Sequence, residues 1–404
     1  LLRGEIKLLY LAPERLLMAD FLEGFLPRLH EAQGISAFTI DEAHCVSEWG
    51  HDFRPEYRQM HLLRRHFAAV PVFAFTATAT VRVRADIVRQ LALIEPAIHV
   101  ASFDRPNLFY SVTPKSSKTY GALLARARQG GAGIVYCLSR KRVDELTQRL
   151  QDDGIAALPY HAGLDAETRR KNQDVFIRDD VGVMVATVAF GMGINKPDVR
   201  WVVHHDLPKS LEGYYQEAGR AGRDGEPAHC ALYFGPGDIH TAEFLIAQKL
   251  DPVTNEPLLE EQRNARQQLK QVLDYAETSA CRRSVQLRYF GEDFSGPCGA
   301  CDNCTSTRVI EDWTVPAQQL LSTIARLAKL NQRFGAGHII DILRGAKTEK
   351  LIRQNHEALS TYGIGSDRSA DEWRHLVRVL KHEGLLEETQ DGYPMLMLNT
   401  GSWA

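Results

Sequence analysis

The sequence predicts an α/β protein: two parallel-sheet domains, then a helical module that binds a metal, then a domain of helices and one hairpin. Three observations carry this prediction. Short apolar segments alternate with helical segments up to about residue 235, three of the seven cysteines lie within Cys298–Cys304, and helical patterns followed by a hairpin pattern run from Pro316 onward. We expect the domains to span residues 1–101, 102–235, 236–308 and 309–404.

Composition places the chain among ordinary globular proteins. It has 404 residues, of which 44% are hydrophobic and 25% charged, which is enough for several cores. The formal net charge of −3 excludes a basic footprint over the whole chain, so any contact with nucleic acid must be made by local patches. No apolar run is long enough to span a bilayer. Seven cysteines, an odd number with a cluster, indicate a metal site in a reducing compartment rather than a disulfide framework.

Two adjacent carboxylates end the first clear strand. Ala37–Ile40 is apolar at almost every position, which predicts a parallel strand covered on both faces, and Asp41 and Glu42 follow at its carboxyl end. Ligands bind at this edge of open α/β sheets. An Asp there can hold Mg²⁺ through water while the Glu polarises a water against a γ-phosphate. The alternative is a plain acidic turn after a strand.

The loop after these carboxylates mixes aromatic and basic residues. Trp49, His51, Phe53 and Arg54 lie within Cys45–Pro55, a stretch too polar to be core. Such a loop is expected to stack on bases and touch phosphate.

DEAH at Asp41–His44, followed directly by CVSEWGHDFRPEY, resembles the RecQ family of DNA helicases. DEAH alone would also suit RNA helicases and other translocating ATPases, whereas this loop would not. The resemblance implies two RecA-like motor domains, the first incomplete here, followed by a zinc-binding module and a winged-helix domain. It also implies ATP and Mg²⁺ as cofactors and 3′–5′ unwinding of DNA in replication, recombination and repair.

Two further segments of the first domain gain a meaning from the resemblance. Ile6–Tyr10 reads as a strand, and the YLAPE sequence that ends it would face DNA; a strand followed by a proline-started helix is the alternative. Phe73–Ala79 reads as a buried strand, and Thr76 and Thr78 would couple hydrolysis to domain movement through hydrogen bonds towards His44. Without the resemblance, both threonines would be helix caps before Val81–Leu91.

A second series of strands and helices begins after a break at Ser102–Asn107. The predicted strands are Gly133–Cys137, Ala156–Tyr160, Val183–Thr187 and Val199–His204, and the predicted helices are Lys141–Leu150 and Ala166–Phe176. Arg140 and His161 each follow a strand, at the edge that meets DNA in helicases of this type. Gly191 and Gly193 also follow a strand and would permit close approach to a phosphate, or else form a tight turn.

The segment Tyr215–Gly225 carries two arginines three positions apart, which predicts that Arg220 and Arg223 share one helical face. Guanidinium groups supplied across a cleft stabilise charge on a transferring γ-phosphoryl group. We assign Arg223 as the arginine finger and Arg220 as its partner on the γ-phosphate, with Gln216 oriented towards the carboxylates. A solvated basic turn is the alternative.

Four cysteines have the spacing of a metal site. Cys281, Cys298, Cys301 and Cys304 suit tetrahedral Zn²⁺, with Gly299 in the knuckle, and an iron–sulfur cluster is the rival. In the RecQ family this zinc is structural. The remaining cysteines, Cys45, Cys137 and Cys230, are expected to pack as small apolar residues.

The last domain reads as three helices and a β-hairpin, which together make a winged helix. Ser369 to Glu372 is a capping box, Gly384 ends that helix, and Asp391-Gly392 forms the hairpin turn. The resemblance makes this the duplex-binding domain, with Tyr393 stacking on the terminal base pair. A packing or dimerisation module is the alternative.

Two parts that the resemblance leads us to expect are absent: the 404 residues contain neither a G-x-x-x-x-G-K-[ST] loop nor the glutamine-containing segment that reads adenine. We therefore expect the chain to be part of a longer helicase and to hydrolyse little ATP alone. Expected partners are ATP, single-stranded and forked or duplex DNA and a single-strand-binding protein, with no membrane. The expected location is the bacterial cytoplasm or the eukaryotic nucleus. The rival functions are a non-catalytic DNA-binding module and an RNA helicase.

Overall fold

A computed structural model describes residues 1–50, 52–191, 195–251, 254–306, 311–389 and 395–403. The chain divides into two compact units, Leu1–Ser306 and Thr307–Ala404. Within the described ranges, no helix combines the length and the apolar character needed to cross a membrane.

The first part of the larger unit is a two-stranded parallel sheet with short helices. Its strands are β1 (Phe38–Ile40) and β2 (Val72–Ala74), and its helices are α1 (Pro13–Leu16), α2 (Leu26–Gln33), α3 (Pro55–Arg58), α4 (His61–His66) and α5 (Val81–Gln90), with a π-helical turn at Asp20–Phe25 and a 3₁₀ turn at Ala43–Val46. Leu26, Ile40, Leu63, Val83 and Ile87 belong to one apolar core between these elements. This core holds the end of β1 in place.

Three expectations for this part were wrong. Ile6–Tyr10 forms no strand, and Tyr10 is 90% exposed, because no strand of the described residues pairs with its backbone. The segment from Phe73 is shorter than expected and is not buried, since Phe73 and Phe75 are 51% and 55% exposed. β1 is likewise covered on one face only, with Thr39 exposed, because helices pack on just one side of the two strands.

The second part is a parallel sheet. In the described residues it contains six strands in the order β3-β8-β7-β4-β6-β5. The strands are β3 (Leu108–Pro114), β4 (Ala132–Tyr136), β5 (Ala157–Tyr160), β6 (Val183–Ala186), β7 (Val199–His204) and β8 (Ala228–Phe234), and the helices are α6 (Thr119–Arg128), α7 (Arg140–Asp152), α8 (Ala166–Ile177) and α9 (Leu211–Ala218).

Local chemistry explains these elements. Every residue of β4 and β6 is buried, as expected for strands covered by helices on both faces. Ser139, Asp165 and Ser210 each accept a hydrogen bond from a backbone amide of the first turn of α7, α8 and α9, so those helices begin at side-chain caps. Four of the strands and two of the helices lie within two residues of their predicted bounds, whereas β3, β8 and α6 were missed.

Helices follow the sheet and complete the larger unit. They are α10 (Pro236–Ala247), α11 (Leu259–Glu277), α12 (Arg282–Tyr289) and α13 (Asp302–Thr305).

The smaller unit has its own core of helices and two short strands. Its elements are α14 (Thr314–Lys329), α15 (Ala336–Leu343), α16 (Glu349–Arg353), a 3₁₀ turn at His356–Ala358, α17 (Ala370–His382), β9 (Glu387–Glu388), β10 (Leu396–Met397) and a 3₁₀ turn at Thr400–Trp403. β9 and β10 pair antiparallel, and the predicted capping box between Ser369 and Glu372 is present. Gly384 has a φ of +70°, which an L side chain rarely adopts, and lies two residues past the end of α17.

Candidate functional site

Asp41 and Glu42 lie directly after β1, at the carboxyl end of the strand. Asp41 is exposed, and its Oδ1 accepts a hydrogen bond of 2.8 Å from the Glu42 amide. Glu42 has a φ of +50°, in the left-handed region, and its side chain turns back towards the protein. The two carboxylates therefore differ: the first is open to solvent and the second is held.

His44 connects Glu42 to the segment after β2. The imidazole is buried, and its Nδ1 lies 2.9 Å from Thr76 Oγ1 and 3.3 Å from Glu42 Oε2. Thr76 Oγ1 in turn accepts a 3.2 Å hydrogen bond from the Thr78 amide. The helix cap before α5 is supplied by Thr80, so Thr76 and Thr78 are not the caps that the alternative would require.

Two aromatic rings of the loop at Cys45–Pro55 contact arginine side chains of the same chain. The Arg82 guanidinium lies 3.2 Å from the centre of the Trp49 ring, and that of Arg58 lies 5.2 Å from the centre of Phe53. Arg54 forms a 2.7 Å ion pair with Asp52. Trp49, Phe53 and Arg54 are all half-buried, and His51 lies outside the described residues. The loop is thus polar and only partly covered, as expected, although its rings already have cations on them.

The predicted helical face of Arg220 and Arg223 was wrong. α9 ends at Ala218, and both arginines lie in the turns that follow, because Gly219 and Gly222 interrupt the helix. Arg220 is buried and donates a hydrogen bond to the Gly191 carbonyl, whereas Arg223 is exposed. A side chain at position 191 would meet the Arg220 guanidinium, so the glycine makes room for this contact. Gly193 lies outside the described residues, and Gln216 is half-buried on α9.

A residue that sequence reasoning missed holds this turn. Arg105 donates hydrogen bonds of 2.9–3.1 Å to the carbonyls of Gly219, Ala221 and Gly222. Partial burial lowers the pKa of Arg223, and the positive charges of Arg220 and Arg105 lower it further. Three guanidinium groups therefore converge, which favours an anion beside them. Arg105 lies in the Ser102–Asn107 segment, where its position between an acidic residue and Pro106 was the only available signal.

Arg140 and His161, the predicted DNA contacts at the strand ends of the second sheet, differ in their exposure to solvent. Arg140 is exposed at the first position of α7. His161 is buried: its Nε2 donates to Asp144 Oδ1 at 2.9 Å, and its Nδ1 accepts from the Gly163 amide at 3.1 Å. Both ring nitrogens of His161 are thereby engaged within the protein. This leaves the predicted DNA contact of His161 without a free donor or acceptor in this conformation.

The four predicted cysteine ligands come together. The sulfur atoms of Cys281, Cys298, Cys301 and Cys304 all lie within 4.8 Å of one another, and those of Cys298 and Cys304 are 3.9 Å apart. Tetrahedral zinc with Zn–S bonds of about 2.3 Å places its sulfurs about 3.8 Å apart, so the residues present fit this ion. Gly299 has a φ of +64°, which explains the glycine in the knuckle.

The knuckle is also joined to the edge of the six-stranded sheet. The Tyr110 amide on β3 donates to the Ala300 carbonyl at 3.3 Å, and the Val112 amide donates to Asp302 Oδ2 at 2.8 Å. Asp302 is held in turn by Arg282, with 2.6 Å between Nε and Oδ1. The metal site therefore closes an edge strand that would otherwise offer unpaired backbone groups.

The smaller unit buries the predicted inner face of α17. Trp373, Leu376, Val377 and Leu380 pack with Leu320, Ile324 and Leu327 of α14 in one core. Tyr393 and the hairpin tip lie outside the described residues.

Three family models match the chain in succession. They are described as the helicase conserved C-terminal domain over residues 115–225, RecQ zinc-binding over 236–305 and the RQC domain over 307–404. The ATP-dependent DNA helicase RecQ of Pasteurella multocida is 41% identical over 394 residues, which are 97% of this chain and 60% of that protein. The chain belongs to the RecQ family.

Other RecQ relatives agree. The ATP-dependent DNA helicase RecQ of Bacillus subtilis is 38% identical over 98% of this chain and 65% of its own length, and the RecQ-like DNA helicase BLM of Xenopus laevis is 38% identical over 95% and 29%. The chain thus spans about 60% of the length of the bacterial RecQ proteins. Among solved structures, S. cerevisiae Dbp5 bound to RNA and ADP BeF3 has a TM-score of 0.45 at 18% identity, covering 61% of this chain and 67% of that one, a likeness too distant to bear on the assignment.

Family and geometry together identify the cysteine group. The zinc-binding description covers residues 236–305, which include all four cysteines with sulfurs at tetrahedral spacing. The site is therefore a structural zinc site, and the iron–sulfur alternative is set aside. The fold class is confirmed as a RecA-like parallel sheet followed by zinc-binding and RQC domains.

Proposed function

We propose that this chain works in an ATP-dependent DNA helicase of RecQ type, which moves 3′ to 5′ on single strands and opens duplex or forked DNA. The names of the RecQ relatives support this proposal. The observation that carries it is the contact chain from Glu42 through His44 to Thr76, which ties a carboxylate at a strand end to the segment after the neighbouring strand. A motor needs such a connection to pass hydrolysis on as movement.

The catalytic roles follow from exposure and charge. Exposed Asp41 holds Mg²⁺ through water, and Glu42 activates the attacking water. Arg220 and Arg223 stabilise the γ-phosphoryl charge, with Gln216 oriented towards the carboxylates. We assign nucleotide binding to Thr76, Thr78, Gly191 and Gly193. Bound Mg²⁺ would neutralise charge on the phosphates of ATP.

The DNA contacts are proposed for both units separately. Trp49, His51, Phe53 and Arg54 sense the single strand, exposed Arg140 meets its backbone, and the winged helix binds duplex, with Tyr393 at the terminal base pair. His161, whose ring nitrogens are both engaged within the protein, would reach the backbone only after its bond to Asp144 is released. A single-strand-binding protein is a further partner of this proposal, and the location is the bacterial cytoplasm or the eukaryotic nucleus.

ATP turnover with and without a phosphate loop tests the proposal. Because the 404 residues contain no P-loop, the chain alone should show little DNA-stimulated hydrolysis, and a version carrying an upstream P-loop segment should show it fully. In that version Glu42→Ala should remove turnover and leave DNA affinity nearly unchanged. Normal turnover by Glu42→Ala would overturn the assignment.

A second candidate is a non-catalytic DNA-binding module in which zinc and winged-helix parts bind forked DNA. The matches to the zinc-binding and RQC descriptions over residues 236–305 and 307–404 favour it. DNA binding without any ATP turnover in the P-loop version would establish this reading, and preference for an RNA strand would establish an RNA helicase instead.

A further inference from the structure

Arg82 has an unusual position on the aromatic loop. Its guanidinium lies 3.2 Å from the centre of the Trp49 ring, which is the spacing of two stacked planes. Trp49 also packs against the apolar core around Ile40 and Val83. With the core packed against Trp49 and a cation stacked on its ring, a base could stack there only by displacing Arg82.

The loop is tied to α5 at a second point. Asp86, one turn after Arg82 on the same face of the helix, hydrogen-bonds with Ser47 of the loop, which lowers the pKa of Asp86 although burial opposes this. Ser47 Oγ in turn accepts a 3.2 Å hydrogen bond from the Trp49 amide. Trp49 and Arg82 are therefore held in register by two connections rather than by one flexible side chain.

Among the described residues, no carboxylate neutralises the positive charge of Arg82. Arg58, which covers Phe53, is paired with Glu48 at 2.7 Å, Arg54 is paired with Asp52 at 2.7 Å, and Arg89 is paired with Asp86. In the part of the chain that the structure describes, Arg82 has no carboxylate within ion-pair distance, and it is exposed.

The helix adds to this positive charge. Arg82 lies in the first turn of α5, and Arg84 follows two positions later. That first turn contains no acidic residue. Helix N-termini carry partial positive charge, so cations at this end are unfavourable unless an anion compensates them. The arrangement costs stability without a ligand and is favourable with one.

We propose that Arg82 binds a phosphodiester group of the single strand, and that Trp49 holds the Arg82 guanidinium parallel to its ring. Stacking uses the face of the guanidinium and leaves its N–H groups in the plane, where they match two phosphate oxygens. This inference rests on the proposed function and changes one part of it, since Trp49 then positions an arginine rather than a base.

The position of Arg82 gives the contact a direct route to the hydrolytic residues. Arg82 is four residues after Thr78 and belongs to the helix that Thr80 caps. Thr78 and Thr76 join this segment to His44. A phosphate bound at Arg82 therefore pulls on the same strand-to-helix segment that contacts Glu42 through His44.

Salt-dependent binding of a labelled single strand tests the proposal. Anisotropy of a fluorescein-labelled oligothymidylate of about 20 nucleotides would be titrated with the whole chain at about 50 to 300 mM KCl. Arg82→Gln should weaken binding roughly three- to tenfold at low salt and reduce the slope of log K against log salt by about 0.7, the value for one phosphate contact on a single strand. Arg82→Lys should fall between wild type and Arg82→Gln, because it keeps the charge and loses the planar fork.

Arg65→Gln is the matched control. Arg65 is also an exposed arginine of the first part of the larger unit, on α4, and among the described residues it has neither a carboxylate within ion-pair distance nor a ring to stack on. It removes the same charge and should leave the slope unchanged. Equal slopes for Arg82→Gln and Arg65→Gln would overturn the proposal, and tighter binding by Arg82→Gln would show that Arg82 blocks a base-stacking face instead. No binding by the wild-type chain would count against the proposed function itself.

Discussion

Arg220 and Arg223 are three positions apart, but the structure gives them different tasks. The buried Arg220 guanidinium donates hydrogen bonds to the Gly191 carbonyl and to the Tyr136 hydroxyl, which itself donates to the Phe190 carbonyl at 2.9 Å. Arg223 is exposed on the next turn. Arg220 thus holds the backbone of its neighbourhood together, and Arg223 is the one presented outward.

Stability measurements should separate the two arginines. Arg220→Met should lower the free energy of unfolding by about 1–3 kcal/mol, because it leaves the partly buried Gly191 carbonyl without its donor. Arg223→Met should change it by less than about 0.5 kcal/mol, as is usual for exposed positions. Urea unfolding of both variants checks this, and equal losses would contradict it.

A pair of histidines makes the smaller unit sensitive to acid. His338 Nε2 lies 2.9 Å from His356 Nδ1, and His356 Nε2 lies 2.6 Å from Gln332 Oε1. Burial, with the neighbouring His356 and Lys350, lowers the pKa of His338 to about 4, and burial lowers that of His356. In the unfolded chain these groups take up protons near pH 6.5.

The sign of the pH effect follows from these directions. The pKa values of both histidines are lower in the folded state than in the unfolded state. Their contribution to the free energy of unfolding is therefore complete above pH 6.5 and is lost as the pH falls towards 4. We expect the free energy of unfolding of the smaller unit to fall by about 1–2 kcal/mol between pH 7 and pH 5. Thermal unfolding of the whole chain followed by tryptophan fluorescence measures this, with His338→Gln as the variant whose pH dependence should be shallower.

At the scale of elements, the zinc knuckle and β3 depend on each other. The edge of β3 donates amides to the knuckle, and the knuckle carries three of the four zinc ligands. Loss of the metal should therefore loosen the sheet edge as well as the loop, and the exposed strand should promote association.

Removing one ligand tests this coupling. Cys298→Ser should abolish the bound zinc, expected at one ion per chain, and lower stability by several kcal/mol with increased aggregation. Cys137→Ala, at a buried cysteine outside the group, should keep its zinc. Elemental analysis and light scattering give the two results, and a zinc-free variant of unchanged stability would contradict the coupling.

The elements also show where sequence patterns succeed. β4 and β6 were found because strands covered on both faces are apolar throughout, and β7 because it is apolar apart from Arg200 and His204. β3 was missed because its partner β8 is more than a hundred positions away and its own pattern, LFYSVTP, is mixed. Ile6–Tyr10 failed in the opposite sense, since an apolar segment becomes a strand only where a partner strand is available.

At the scale of the whole molecule, the two units have separate cores. Every residue of the core around Trp373 comes from the smaller unit, and the other three cores lie within the larger one. Residues 307–404 alone should therefore fold. Circular dichroism and a cooperative thermal transition of that fragment check the prediction, and a non-cooperative melt would contradict it.

The family was predicted from the sequence more completely than the geometry. DEAH with its loop and the cysteine spacing sufficed for the family, since these are local patterns. The stacking of Arg82 on Trp49 and the hydrogen bonds from Arg105 to the turn after α9 could not be foreseen, because they join residues distant in the sequence.

At Glu42, selection for stability and selection for activity favour different residues, because the backbone is left-handed there. Glycine adopts this conformation without the penalty of about 1 kcal/mol that a Cβ carries. Glu42→Gly should therefore relieve this backbone strain while removing the carboxylate that we propose as the hydrolytic base, so a screen for heat resistance alone should favour variants with little ATP turnover at this position.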